Sequence, residues 1–296
     1  TSVSLLSILV CNSLIKKLLF IFKPISLFLP VQLIIKKFFI IIYFIGFFNI
    51  TNNSYSSEII DDYGIITFMY HRFEENKYPS TNIRTGVFKQ QLKLIDDNKF
   101  IYINPKRFEI SLIKNKKKKK ILITIDDAFL SFYKNAWPIL KKDKIPFILF
   151  VSTREVGKSN YMTWDQIKEL AKEDFVHIGN HSHSHEYLID YKKKDIKKDI
   201  ETSIKIFKDK IGYESPFFSY PFGEYSLDFK KIVKDLGFKY SFGQHSGVVD
   251  DSKDFLELPR FPINEKYGEI ERFKTLLSTL PLKYKKILPE EKYINN

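Results

Sequence analysis

The chain has 296 residues, 44% of them hydrophobic, and a formal charge of +13, enough apolar material for a large core. Its only cysteine, Cys11, lies near the N-terminus, so the folded part has no disulfide, no thiol nucleophile and no cysteine metal ligand. The basic excess is not read as nucleic-acid binding: Lys, Ile, Phe, Asn and Tyr are abundant together, as A/T-rich codons dictate, and five of the positive charges (Lys16, Lys17, Lys23, Lys36, Lys37) belong to the N-terminal segment.

That segment, residues 1–57, contains no acidic residue, and its apolar runs are broken by lysine pairs and by Pro24 and Pro30. No run reaches the roughly 18 to 20 residues that a membrane-spanning helix requires. The run 38–48 follows Lys36 and Lys37 and leads into the polar stretch 49–57, the basic, apolar, polar order of a secretory signal. Export is expected, to a periplasmic, envelope-anchored or secreted location, with an uncleaved anchor as the alternative and membrane contact through this segment alone. No Met precedes Met69; an alternative start codon near 31–35 would leave 1–30 as translated upstream sequence.

From residue 58 short β-branched runs alternate with amphipathic ones. Strands are expected at 65–70, 100–103, 121–125, 147–151, 175–178 and 217–220, with the last at Tyr240 and 256–258. Helices are expected at 87–97, 131–142, from Thr163 onward, at 195–210 and at 226–236. Thr163 and Gln166 form a capping box at the start of theirs. Strand–helix alternation implies parallel pairing with right-handed crossovers. About seven such units in about 240 residues favour a distorted (β/α)7-type barrel over an open doubly wound sheet, and no glycine-rich phosphate loop follows any strand. The lysine run 116–120 precedes a strand, so it is expected to be a solvated loop at the end opposite the chemistry.

Active sites of such barrels form beyond the C-terminal ends of the strands, and three strand ends stand out. The run 121–125 delivers Asp126 and Asp127, two like charges at the mouth of a buried strand. They need a cation, a shared proton or water to coexist, unless they merely cap the next helix. The second end is NHSHSH at 180–185. On a helical turn His181 and His185 would share a face, and on a strand His183 would join them. The third is SYPFGEY at 219–225, a Pro and Gly turn that can expose backbone N–H groups. Two histidines and one aspartate make a three-ligand site with an open position, which leaves the second carboxylate free to act as a base. His71, at a strand end, is read either as lining the cleft or as a hydrogen-bonded core residue. His177 is read as packing, and His183 as turned away, though it is the rival ligand. Tyr220, Phe222 and Tyr225 could stack on a ring or fill the core.

Over residues 64–263 the chain resembles the polysaccharide deacetylases with a NodB-like domain, carbohydrate esterase family 4. TIDDAF at Thr124 resembles the T-F-D-D-G motif, HSHSH at His181 the H-[S/T]-x-x-H motif, and SYPFGEY the third motif of the branch acting on poly-N-acetylglucosamine. MYHRF at 69–73 and MTWDQI at 162–167 are similar to stretches of that branch. The resemblance implies a catalytic domain over 58–296 that removes N-acetyl groups from a polysaccharide of N-acetylhexosamine units and releases acetate. It implies Asp126 as base, Asp127, His181 and His185 as ligands of a divalent metal, commonly zinc, and the Phe222 N–H as oxyanion donor. Three departures stand against the pattern. Ala128 replaces the motif Gly, and Ser219 stands where many members carry the Arg that buttresses the base. Leu258 and Pro259 are followed by Arg260 where a general-acid His is expected. The acid is therefore unassigned, with His245 as candidate, while Arg260 is read as binding substrate or orienting Asp126. A carbohydrate-binding protein without turnover, or a metal-dependent hydrolase of another amide or ester, is the rival reading.

Overall fold

The computed structural model describes residues 64–114 and 118–278. The segment 1–57, with the expected signal or anchor, lies outside the described residues. Among those described, no helix is long and apolar enough to cross a membrane.

The chain runs β1 (Ile65–Tyr70), β2 (Arg72–Phe73), β3 (Asn82–Ile83), α1 (Thr85–Asp97), β4 (Ile101–Tyr102), α2 (Phe108–Ile113) and β5 (Lys120–Ile125). It continues with α3 (Leu130–Asn135), α4 (Trp137–Asp143), β6 (Phe147–Val151), α5 (Trp164–Ala171), β7 (Val176–Asn180) and α6 (Lys193–Ile211). The last elements are β8 (Phe217–Ser219), α7 (Leu227–Asp235), β9 (Tyr240–Phe242), β10 (Val248–Val249), β11 (Phe261–Pro262) and α8 (Ile270–Ser278). β1, β5 and β6 are buried at every residue, as expected of parallel strands covered on both faces. One sheet carries β1, β5, β6, β7, β8 and β9 side by side, all parallel, with β10 antiparallel on the outer side of β1. The expected barrel is thus a half-barrel with a thin seam: one bridge joins Phe242 to Leu258, and β11 then pairs with β1. The expected strand at 256–258 is reduced to that bridge.

Two local expectations change for identifiable reasons. The helix expected at 131–142 is broken at Ala136, because Pro138 lacks the N–H that would continue the first segment and instead occupies the first turn of α4. Lys120 is not in a solvated loop: it opens β5, is 3% exposed, and its Nζ donates to Ser111 O at 2.9 Å. The capping box of α5 forms as expected, Thr163 Oγ1 accepting from Gln166 N and Gln166 Oε1 from Thr163 N. Because the six strands are parallel, their C-terminal ends meet at one edge. His71, Asp126, Ser152, His181, Tyr220 and Gly243 follow those ends directly.

Candidate active site

The two carboxylates after β5 diverge at once. Asp126 stays in register with the sheet, its N–H donating to Tyr70 O at 2.8 Å. Asp127 and Ala128 follow with φ of 72° and 54°, two successive left-handed residues that turn the chain and send adjacent side chains to different partners. Ala128 therefore occupies a conformation that favours the glycine of the motif it resembles.

Asp126 is 2% exposed and faces inward onto Arg260, which is fully buried. Arg260 Nη1 donates to Oδ1 at 2.8 Å and Nη2 to Oδ2 at 2.9 Å, a bidentate fork. Ser219 Oγ donates to Asp126 Oδ2 at 3.0 Å and accepts from Arg260 Nη2 at 2.9 Å. The guanidinium also donates to Thr124 Oγ1 at 3.2 Å and, from Nε, to Gly243 O at 2.9 Å. Burial opposes the Asp126 charge, but the Arg260 cation and then the His181 imidazole outweigh it and hold the carboxyl below its ordinary value. Of the two roles expected for Arg260, the structure gives it the orienting one, since a wholly buried guanidinium is out of reach of substrate. It supplies from the seam the cation that Ser219 cannot.

Asp127 turns the other way. Its Oδ1 lies 3.0 Å from His185 Nε2 and 3.4 Å from His181 Nε2, with the three ligand atoms within 4.8 Å of one another. Neither imidazole is aligned to satisfy that oxygen, which is buried without a hydrogen-bond partner. Burial pushes the Asp127 carboxyl up, but the two imidazoles overcome it and hold the group well below the usual carboxylate range. Burial lowers His185 and the Asp127 carboxylate more than compensates, leaving the imidazole above its ordinary value. His181 Nδ1 lies 2.7 Å from Ser219 O; a carbonyl can only accept, so that nitrogen carries the proton. Its other nitrogen, Nε2, is thereby left facing the Asp127 carboxylate. A proton or a cation between Nε2 and the carboxylate is what reconciles the two at this distance. Two imidazole nitrogens and a carboxylate whose buried Oδ1 is orphaned fit a divalent cation.

The histidine loop adopts neither of the regular geometries considered from sequence. β7 stops at Asn180, and Ser182 and His185 take φ of 70° and 52°. Asn180 Oδ1 accepts from Ser182 N, Ser182 Oγ from His185 N, and the Asp199 carboxylate from the N–H groups of His183 and Ser184. This turn brings the His181 and His185 rings to 4.9 Å and aims His183 Nδ1 at Thr153 Oγ1, 2.8 Å away. His183 is not grouped with the other two. Asp199, on α6, gave no signal in the sequence because a loop-bracing carboxylate has no fixed spacing from its loop.

The remaining expectations divide. Tyr220 is fully buried, stacked on Tyr225 at 4.5 Å, with its hydroxyl donating to Leu256 O; both tyrosines belong to the core, which corrects the reading of Tyr220 as a substrate contact. Phe222 is 51% exposed at φ 59°, its ring 5.0 Å from His185, and its N–H has no acceptor among the described residues. His71 continues the β1–β5 register beyond Tyr70↔Ile125, which sets it beside Asp126. Burial lowers its pKa, with Asp127 and Asp126 pulling it up and Arg260 and His181 pushing it down. His71 thus lines the site. His245 follows β9 and its carbonyl accepts from Arg260 N at 2.9 Å. His177 packs on Tyr213 and Phe217 with Nε2 3.0 Å from Ser215 Oγ, and burial lowers it to about 4.

The family model for polysaccharide deacetylases matches residues 113–241, a span that contains Asp126, Asp127, His181 and His185. Over those residues the chain is similar to the polysaccharide deacetylases. Among its relatives, a poly-beta-1,6-N-acetyl-D-glucosamine N-deacetylase of Staphylococcus aureus is 28% identical over 213 residues, 67% of this chain and 73% of that protein. The fold is similar to that of the Streptococcus pyogenes deacetylase PplD (TM-score 0.66, 22% identity, 73% of this chain and 99% of that one). It is likewise similar to IcaB from Ammonifex degensii (TM-score 0.67, 24% identity, 73% and 97%).

Proposed function

We propose that the protein is a metal-dependent N-deacetylase of a polysaccharide built from N-acetylglucosamine-type units. The observation that carries this reading is the pairing of an orphaned Asp127 oxygen and two imidazoles with a second carboxylate, Asp126, whose Oδ2 lies 3.9 Å from His181 Nε2. Asp127, His181 and His185 would hold the cation. When bound there, a divalent ion such as zinc supplies Lewis acidity, polarising a carbonyl and lowering the pKa of water toward ~7. Asp126, kept ionised and fixed in direction by Arg260, accepts the proton of the attacking water. The Phe222 N–H donates to the acetyl oxygen as charge builds on it. The new C–O bond forms, the C–N bond breaks, and an imidazole returns a proton to the departing amine. His71, which stands beside Asp126, is the favoured relay, handing on the proton that Asp126 has taken up rather than one held at rest against its lowered pKa; His245 is the alternative donor. The substrate class is supported by the Staphylococcus aureus relative, whose name states that glycan.

Acetate release from N-acetylglucosamine oligomers tests the reading, measured with added zinc and after chelation. Release that disappears on chelation and returns with metal is expected. No release in either condition overturns the proposal and leaves a carbohydrate-binding protein. Within the active enzyme, His71→Gln is expected to lower kcat by about 10² or more and His245→Gln to lower it little; the reverse order reassigns the proton donor.

A further inference from the structure

At the end of β5 opposite the carboxylates, the lysine run singled out in the sequence meets a cluster of exposed isoleucines. β5 is six residues long, so its start lies about 20 Å from Asp126. Ile101 pairs with Lys120 at that start, its N–H donating to Lys119 O at 2.9 Å, and Lys120 Nζ donates to Ser111 O in α2. Strand alternation puts Ile101 on the same side as Ile103, which shares a core cluster with Phe108 and Leu112 of α2. Ile110 and Ile113, one turn apart, occupy the opposite face of that helix. Ile101, Ile110 and Ile113 are 41%, 54% and 63% exposed, and no other isoleucine among the described residues is exposed. Cations flank them: Lys99 two residues before Ile101, Arg107 one turn before Ile110, Lys114 directly after Ile113, and Lys118 at the approach to β5. All four are exposed, and none pairs with a carboxylate among the described residues. The nearby acidic groups are engaged elsewhere, Asp96 with the Tyr102 hydroxyl, Asp97 with Lys93, Glu109 with the Tyr240 hydroxyl and Asp174 with Lys106.

That combination selects an occupant. A lone exposed isoleucine is ordinary, but three together within a rim of unpaired cations join the two forces that hold a peripheral protein on an anionic bilayer. Apolar side chains enter the headgroup boundary, and the negative surface potential attracts the lysines. RNA or an acidic polysaccharide would use the cations and leave the isoleucines in water. Stacking on bases would also need exposed rings, and the exposed rings of the described residues, Tyr78, Tyr191, Phe222 and Tyr267, belong to other segments. We propose that Ile101, Ile110 and Ile113, with the cations around them, form a docking surface for an anionic phospholipid bilayer. This contact is additional to the one expected of segment 1–57 and independent of the reaction proposed above. With this surface on the lipid, the C-terminal strand ends that carry Asp126 and Asp127 face away from it.

Co-sedimentation of the full chain with vesicles tests this, using phosphatidylcholine alone and phosphatidylcholine with about one third phosphatidylglycerol. The unaltered protein is expected to favour the anionic vesicles, with partitioning that weakens as salt rises. Lys99→Gln, Lys114→Gln and Lys118→Gln combined, and separately Ile110→Ser with Ile113→Ser, should each lower the partition coefficient about tenfold or more, with little change in thermal unfolding. Amide hydrogen exchange with and without vesicles locates the contact: residues 108–114 should gain protection in the unaltered protein and lose that gain in both variants. Unchanged exchange in α2 of bound protein would overturn the surface and leave segment 1–57 as the lipid contact. Loss in the lysine variant alone, with the isoleucine pair without effect, would overturn it in favour of a polyanion site. Failure to partition onto either kind of vesicle would overturn it outright.

Discussion

Asp126 and Asp127 are adjacent in sequence and end the same strand, yet they inhabit opposite kinds of environment. Asp126 is locked to a permanent cation, Arg260, with every contact inside the protein. Asp127 faces two imidazoles whose charge depends on protons or metal, and its Oδ1 has no aligned donor. Both carboxyls are held below their ordinary values, by different means: a fixed guanidinium on one side and exchangeable partners on the other. Adjacent like charges are thus made compatible by dividing them, one committed to the framework and one left for a ligand.

The largest effect should come from breaking the fixed side. Arg260→Met leaves Asp126 buried and unpaired, and is expected to cost about 3–5 kcal/mol in urea unfolding and to abolish turnover, because the unpaired carboxyl takes up a proton. Adding Asp126→Asn should restore part of the lost stability by removing the uncompensated charge, a coupling readable in a double-mutant cycle. If Arg260→Met costs no more than an ordinary surface substitution, the clamp does not carry the weight given to it here.

The exchangeable side should respond in affinity more than in stability. Asp127→Asn is expected to weaken zinc binding at least about 10²-fold, with only a minor loss of stability, whereas Asp126→Asn should keep the metal and lose about 10³ in kcat. Calorimetric zinc titration alongside acetate release separates the two. Equal loss of metal in both variants would mean that the division of labour between the carboxylates is wrongly drawn.

How much of this could be read in the sequence follows from how far apart the cooperating residues lie. The strand that bears the carboxylates and the capping box at Thr163 are local patterns, and each appears where periodicity or spacing put it; His181 and His185 do approach one another, but through an irregular turn rather than a helical turn or a strand. The Arg260–Asp126 fork joins residues 134 positions apart across the seam of the sheet. That seam consists of one bridge and a two-residue strand, too short to leave a hydrophobic pattern, so the orienting role of Arg260 stayed one of two options. The histidine loop was also illegible in detail, because its course depends on left-handed residues at Ser182 and His185 braced by Asp199 from another element.

The smallest predicted effect concerns the turn that separates the carboxylates. Ala128 at φ 54° carries the roughly 1–2 kcal/mol penalty of a left-handed L-residue, but its methyl is buried in the core and a glycine would gain about 0.5–1 kcal/mol of unfolded-chain entropy to lose on folding. These terms oppose one another, so Ala128→Gly is expected to shift stability by less than about 1 kcal/mol and to leave zinc affinity intact. Ala128→Val has no such compensation: a β-branched side chain at positive φ in a filled core should cost about 2 kcal/mol or more, and by shifting the turn should weaken zinc binding at Asp127 while leaving the Arg260 fork in place. Thermal unfolding and zinc titration of the two variants would show whether the left-handed pair, rather than the metal ligands alone, sets the direction of Asp127. Equal zinc affinity in both would mean that it does not.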